Sequence, residues 1–186
     1  EQIKTTFSQS IKSFSPELKF DSVIVSGMGG SSNAGKIIQG LLEGSFDKPF
    51  VVYNDYSLPA WVNSKTLVIV NSYSGNTEET INSAYDAIKK KAKIIGIATG
   101  GKLASILEND NLPLWKFNPT ANPSGQPRMG LGYSIAGILA VLAKCNFLSL
   151  ENEEVTELIE TCEVYIKEFG IRVPQKENIA KSLAQK

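Results

Sequence analysis

The sequence predicts an α/β protein, a three-layer α/β/α sandwich in which helices cover both faces of a five-stranded parallel, doubly wound sheet. Short β-branched runs, such as TLVIV at residues 66–70, alternate with segments whose apolar residues recur at helical spacing, such as Ile81, Ala84 and Ile88. Strands that alternate with helices form parallel sheets covered on both faces. Such sheets bind their ligands at the carboxyl ends of the strands.

The elements follow one another without an internal repeat. A leading helix is expected at residues 2–14. The five strands are expected at residues 22–26, 49–53, 67–71, 93–98 and 112–117. The later helices are expected at residues 33–43, 77–91, 103–108, 129–146, 151–170 and from residue 175 onwards. Three prolines and a glycine indicate a loop at residues 118–128.

This pattern divides the chain into three parts. Residues 1–21 carry the leading helix, residues 22–150 form the sheet domain, and residues 151–186 carry C-terminal helices and a linker. A chain of 186 residues is long enough to bury a substantial core in one domain.

The charge balance argues against polyanionic partners. Lysine and arginine together number 19, as do aspartate and glutamate, so no net field favours nucleic acid or an anionic membrane. No apolar stretch reaches the length that spans a bilayer. We therefore expect a cytoplasmic protein that binds neither nucleic acid nor membranes.

The chain has two cysteines and no histidine. This composition excludes a Ser-His-Asp triad and an ordinary zinc site within these residues. Cys145 and Cys162 stand at apolar helix positions, which predicts buried packing residues rather than a disulfide.

The serine-rich turn, residues 72–77, is the most informative segment. Ser72, Ser74 and Thr77 surround Gly75 directly after a predicted strand. Thr77 is a suitable N-cap for the next helix, so hydroxyls and unpaired helix N–H groups converge at one point. This combination suits a phosphate monoester. An ordinary capped turn would carry the same residues, and that alternative stays open at this stage.

A glycine-rich turn, residues 27–31, follows the first strand. Residues 30–36 fit the nucleotide-binding pattern G-x-x-x-x-G-K, but Ile37 stands where a P-loop needs Ser or Thr for Mg²⁺. Ser32 stands at the last glycine of the dinucleotide fingerprint, and no acidic residue follows at the expected distance. Nucleotide binding at this turn is therefore disfavoured.

Arg128 stands directly before the apolar helix at residues 129–146. A cation is disfavoured at a helix N-terminus, and such a local mismatch is typical of a functional residue. A surface arginine in a loop is the alternative. The helix is apolar on nearly every face, which indicates burial, and we expect it to pack in an interface between domains or subunits.

Together these turns resemble the sugar isomerase (SIS) domain family, and within it the bifunctional phosphoglucose/phosphomannose isomerases. The resemblance rests on four motifs, in the family's order, within residues 22–146. They are GMGGS at 27–31, SYSGNTEET at 72–80, ATGGKLA at 98–104 and QPR at 126–128. Ser32 departs from the family pattern, which often has glycine there.

The resemblance implies isomerisation of glucose 6-phosphate or mannose 6-phosphate to fructose 6-phosphate through a cis-enediolate. It assigns phosphate binding to Gly30, Ser31, Ser72, Ser74 and Thr77. Arg128 would stabilise the enediolate, without a metal or cofactor. The catalytic base and a histidine would come from a second SIS domain beyond Lys186. The chain thus resembles the N-terminal half of a homodimeric enzyme.

Two other functions stay open. A SIS domain can bind a sugar phosphate without chemistry, as a regulatory domain. Such domains usually accompany a DNA-binding segment, for which the roughly 20 residues before the first strand are too few. Nucleotide-dependent phosphotransfer at residues 30–36 is disfavoured by Ile37.

Overall fold

The computed structural model describes residues 1–8 and 19–185. The chain divides into two compact units, Glu1–Leu148 and Ser149–Lys186. The first unit contains the sheet, and the second is helical.

Five parallel strands form one sheet in the first unit, in the order β2-β1-β3-β4-β5. The chain runs from β1 to the β2 side and returns on the other side of β1 as β3. The carboxyl ends of β1 and β3 therefore form the topological switch point, where sheets of this kind bind ligands. The strands are β1 (Ser22–Ser26), β2 (Phe50–Tyr53), β3 (Thr66–Asn71), β4 (Lys93–Ala98) and β5 (Leu114–Lys116).

Helices lie on both faces of the sheet, which confirms the predicted three-layer α/β/α fold. On one face α5 contacts α1, α2 and β4, and on the other α3 contacts α4. A short 3-10 helix, Pro127–Gly130, leads into α5. The helices are α1 (Gln2–Ser8), α2 (Gly30–Leu42), α3 (Glu78–Lys89), α4 (Gly101–Asn109) and α5 (Leu131–Lys144).

β3 lies at the centre of the core, with all six residues buried. Side chains alternate between the two faces of a strand, so β3 supports both helix layers. Val68 and Val70 belong to the apolar cluster that includes Ile81 of α3 and Leu103 of α4.

Several predicted element ends are shifted. α2 begins at Gly30, three residues before the expected start, because the Ser31 and Ser32 amides already donate to the Met28 carbonyl oxygen. β5 is shorter than predicted and covers only Leu114–Lys116. The leading helix is present as α1 (Gln2–Ser8), and residues 9–14 of that prediction lie outside the described residues.

The aliphatic side chains of the apolar helix α5 are covered within the first unit. Ile138, Leu139, Val141 and Leu142 of α5 are buried, and Leu131 and Ile135 are half-buried. The reason is that α1, α2 and the sheet cover α5 within the first unit. Its composition is thus explained by packing inside the unit.

The second unit contains α6 (Asn152–Phe169), a 3-10 helix (Gln175–Glu177) and α7 (Ile179–Leu183). α6 begins with a capping box, in which the Glu151 and Glu154 side chains each accept from the other residue's backbone N–H. No residue of α6 is fully buried.

The two cysteines differ. Cys145 is buried as predicted, and burial raises the pKa of its thiol to about 12. Cys162 on α6 is half-buried, so the prediction of full burial is wrong there. Within residues 1–8 and 19–185, no helix is long and apolar enough to cross a bilayer, and no three acidic, cysteine or histidine side chains gather as metal ligands.

The contact between α5 and the sheet gives a stability prediction. A Cβ atom on Gly137 would lie 2.5 Å from Cζ3 of the buried Trp115 ring, whereas one on Gly40 of α2 would meet nothing within 4 Å. We expect Gly137→Ala to lower the free energy of unfolding by about 1–3 kcal/mol through overpacking. Gly40→Ala should raise it by about 0.5–1 kcal/mol through helix propensity. Urea unfolding measures both, and equal effects in the two variants would contradict the packing.

Candidate functional site

The glycine-rich and serine-rich turns meet at the switch point of the sheet. β1 and β3 are neighbours, with Ser26 paired to Val70, so the turns leave the sheet side by side. A Cβ atom on Gly27 would lie 2.7 Å from the Asn71 carbonyl oxygen and 3.2 Å from Cβ of Ser31. Glycine therefore permits the close approach of the two turns.

A buried amide fixes Ser31 against β3. The Asn71 side chain is fully buried, and its Nδ2 donates to the Ser31 carbonyl oxygen at 3.0 Å. Its Oδ1 accepts from Oγ of Ser134 on α5 at 3.3 Å. The Ser31 hydroxyl oxygen accepts from the Tyr73 backbone N–H at 3.4 Å, so its own proton stays available for a ligand.

Ser72 and Thr77 form a pair of hydroxyls at the base of the serine-rich turn. Their oxygens lie 2.9 Å apart, and either can be the donor. Ser72 Oγ also accepts from the Gly75 backbone N–H at 3.1 Å. Of the two hydroxyl protons, one forms the hydrogen bond between Ser72 and Thr77. The other remains available to donate to an anion.

Ser74 lies at the exposed tip of the same turn. Its Oγ accepts from the Asn76 backbone N–H at 3.2 Å, which leaves the hydroxyl proton free to donate. Gly75 adopts a φ of 70° and packs so closely on Gly100 that a Cβ would overlap the Gly100 carbonyl. The Asn76 Oδ1 accepts from the Lys102 N–H at 3.0 Å. The start of α4 thus supports the serine-rich turn.

Thr77 occupies the N-cap position of α3, as predicted, but its side chain makes no capping hydrogen bond. The expected capping role of the hydroxyl is therefore wrong. The physical reason is that the hydroxyl pairs with Ser72 instead. The amides of the first turn of α3 are consequently left for another acceptor, beside the positive end of the helix dipole.

The two glutamates of that first turn face the loop after β2. The pKa of the Tyr56 phenol is raised, first by the charge of Glu79, then by desolvation and by the charge of Glu78. Both carboxylates therefore lie near the Tyr56 phenol. This agrees with the usual role of first-turn acids, which is to offset the helix dipole.

Arg128 lies beside the glycine-rich turn. It sits in the 3-10 helix Pro127–Gly130, and a Cβ atom on Gly30 would be 3.5 Å from the Arg128 Cα. The side chain is exposed, and its guanidinium makes no hydrogen bond or ion pair with the part of the chain that the structure describes. The backbone of Arg128 thus lies next to Gly30, and its exposed guanidinium is not paired with any described residue.

The site residues predicted from sequence fall into three groups, of which the first two are linked to each other. Gly30, Ser31 and Arg128 form the first, and the hydroxyls of Ser72 and Thr77 form the second. The Tyr73 amide links these groups through the Ser31 hydroxyl. Ser74 is set apart, because its contacts are with Asn76 and with the neighbourhood of Gly101.

Sequence reasoning missed the side chains that support these groups. Asn71 ends a buried strand that is mostly apolar. The sequence could have indicated its role, because a buried polar side chain needs a hydrogen-bond partner. Asn54 Nδ2 donates to Oγ of Ser32 at 2.6 Å, which fixes that oxygen toward the loop after β2. Tyr73 and Asn122 are joined across 49 positions by a hydrogen bond that no local pattern indicates.

Comparison with known proteins identifies a family and relatives of the chain. Residues 19–111, half of the chain, match the sequence model of the SIS domain. The chain is similar to the bifunctional phosphoglucose/phosphomannose isomerase of Caldicellulosiruptor bescii, with 40% identity over 167 residues, 89% of this chain and 48% of that protein. The enzyme of the same name from Thermoplasma volcanium is 37% identical over 127 residues, 68% of this chain and 38% of that protein.

Among solved structures, the fold is similar to that of tagatose-6-phosphate ketose/aldose isomerase from Escherichia coli. The TM-score is 0.64 at 21% identity, over 82% of this chain and 44% of that chain. The chain spans about half the length of the curated relatives it matches. From the match over residues 19–111 and the shared architecture, the chain belongs to the SIS domain family.

Proposed function

We propose that the chain supplies the phosphate-binding domain of a sugar-phosphate aldose–ketose isomerase, which converts glucose 6-phosphate or mannose 6-phosphate to fructose 6-phosphate. One observation carries this proposal: the backbone of Arg128, whose side chain is exposed and unpaired among the described residues, lies beside the glycine-rich turn, at the switch point next to the serine-rich turn. The similarity to phosphoglucose/phosphomannose isomerases supports the reaction class.

In this proposal the phosphate binds between the two turns. The Ser31 hydroxyl, the free proton of the Ser72 and Thr77 pair, and the first-turn amides of α3 donate to its oxygens. Ser74 donates from the rim of the site, and Gly30 offers its backbone N–H. Hydrogen bonds to a charged acceptor are stronger than those between neutral groups, so a few such donors suffice.

Isomerisation moves one proton between two neighbouring carbons. A base removes the proton from C2 of the aldose, and the electron pair forms a C1–C2 double bond while negative charge moves onto O1. The proton on O2 passes to O1, and return of the first proton to C1, with formation of the C2 carbonyl, gives the ketose. Arg128 lowers the energy of this enediolate, because its guanidinium stays protonated and can face both oxygens. An arginine cannot serve as the base for the same reason.

The base comes from elsewhere in this proposal. The chain has no histidine, and Glu78 and Glu79 lie in the first turn of α3, where acids usually offset the helix dipole. A second SIS domain of the same protein, and a homodimeric assembly that shares the site, would supply the base. The expected location is the cytoplasm, where hexose phosphates are metabolised.

The missing base leads to a test of activity. We expect the isolated chain to bind fructose 6-phosphate but to isomerise it negligibly, because it stabilises charge without moving the proton. Adding the remaining half of the full-length protein as a separate polypeptide should restore turnover. A coupled assay for glucose 6-phosphate measures both, with Arg128→Ala as a variant that should not be restored. Turnover by the pure isolated chain at a typical enzyme rate of about 10 per second would overturn this division of labour.

The hydroxyls of the cradle lead to a test of binding. We expect Ser74→Ala and Thr77→Val each to weaken fructose 6-phosphate binding by roughly 1.5–3 kcal/mol, the value of a hydrogen bond to a charged group. Thr77→Val keeps the branched shape, and Thr77→Ser should bind like the parent. Calorimetric titration measures the affinity, and circular dichroism checks the fold.

Ser45→Ala is the matched control, since Ser45 is exposed in the loop after α2 and donates only to the Leu42 carbonyl. If Ser74→Ala and Thr77→Val bind as tightly as Ser45→Ala, the cradle is assigned to the wrong residues.

A further inference from the structure

Tyr73 connects the serine-rich turn to the segment that carries Arg128. Its side chain is buried, and its ring packs so closely on Gly130 that a Cβ there would overlap the ring. Its hydroxyl accepts from Nδ2 of Asn122 at 2.7 Å. One side chain of the serine-rich turn therefore contacts the loop before Arg128 and the backbone after it.

The Asn122 side chain makes three hydrogen bonds that hold that loop together. It is buried, with 7% of its surface exposed. Its Nδ2 donates to the Tyr73 hydroxyl and also to the Gln126 carbonyl at 2.9 Å, so both amide protons are used. Its Oδ1 accepts from Oγ of Ser124 at 2.7 Å. The side chain thus organises the loop from three directions.

The Gln126 carbonyl connects Asn122 to the turn that contains Arg128. It also accepts from the Met129 backbone N–H at 3.0 Å, the hydrogen bond that closes the turn around Arg128. The start of the turn is therefore tied to Asn122 and its end is packed on the Tyr73 ring. Arg128 lies between the two fixed points.

The backbone of Tyr73 is fixed to the phosphate side of the site. Its N–H donates to the Ser31 hydroxyl at 3.4 Å, and its carbonyl accepts from the backbone N–H and the hydroxyl of Thr99 at 3.0 and 2.8 Å. A single residue thus contacts the cradle through its backbone and the arginine turn through its side chain.

We propose that Tyr73 and Asn122 are positioning residues, which hold the Arg128 turn at a fixed distance from the phosphate cradle. The functional part rests on the function proposed above. Arg128 follows a loop with three prolines, and its guanidinium has no partner among the described residues. Stabilisation of a developing charge depends on preorganised groups, and small misplacements are costly. The contacts of Tyr73 and Asn122 hold the Arg128 turn in place and so supply this preorganisation.

The first arm of the test needs no ligand. Amide hydrogen exchange of the 186-residue chain is compared for the parent, Tyr73→Phe, Asn122→Ala and the control Tyr85→Phe, which alters an exposed tyrosine of α3. We expect exchange over residues 122–130 to quicken on the order of tenfold in the first two variants, as loss of one buried hydrogen bond allows. Tyr85→Phe should exchange like the parent. Unchanged exchange in Tyr73→Phe and Asn122→Ala overturns the proposal.

The second arm asks whether the anchor acts through the arginine. The probes are inorganic phosphate and 5-phosphoarabinonate, whose carboxylate carries two oxygens in the manner of an enediolate. We expect Tyr73→Phe to weaken 5-phosphoarabinonate about tenfold, the effect of misplacing one charged partner, and to leave phosphate affinity unchanged. In an Arg128→Ala background, Tyr73→Phe should have no further effect. Additive losses in the double variant overturn a role through Arg128.

The two proposals fail in different ways. If Arg128→Ala binds 5-phosphoarabinonate as tightly as the parent, the proposed function of the arginine is wrong, and the exchange data alone decide whether the turn is anchored. If Arg128→Ala weakens that ligand and Tyr73→Phe does not, the function stands and the positioning role is wrong.

Discussion

The close approach of the turn after β1 to the end of β3 determines where every candidate side chain lies. Gly27 lacks the Cβ that would lie 2.7 Å from the Asn71 carbonyl oxygen, so α2 can start directly at the switch point. Asn71 then bonds the Ser31 carbonyl across the gap. A larger residue at Gly27 would force the two turns apart.

The candidate site consists of side chains that the protein holds in place but whose hydrogen-bond donors are still available. Ser31, Ser72 and Ser74 each accept a hydrogen bond from a backbone N–H, which fixes the oxygen, while the protons of Ser31 and Ser74 remain free for a ligand. Arg128 follows the same pattern, since its backbone is held between Asn122 and Gly130 and its side chain is open. Such ordering of the donors would lower the cost of binding the ligand of the proposed function.

The sequence predicted the fold because its signals are local. The β-branched runs and the glycine-rich and serine-rich turns identified all five strands and the edge of the sheet where the candidate site lies. The expectation that the Thr77 hydroxyl caps α3 was wrong, because the hydroxyl bonds Ser72 instead of a backbone amide of the first helical turn. Which of these partners it bonds depends on the geometry of the turn. The burial of α5 by α1 and α2 and the link from Tyr73 to Asn122 join distant segments, so no local pattern could indicate them.

If the proposed function is correct, one ligand occupies both turns at once. Titration of the isotope-labelled chain with fructose 6-phosphate, followed by backbone amide chemical shifts, measures this occupancy. We expect saturable shifts at Gly30 and Ser31, at residues 74–79, and at Arg128, with one common affinity. Shifts confined to one turn, or to the far end of α2 around Leu42, would contradict it.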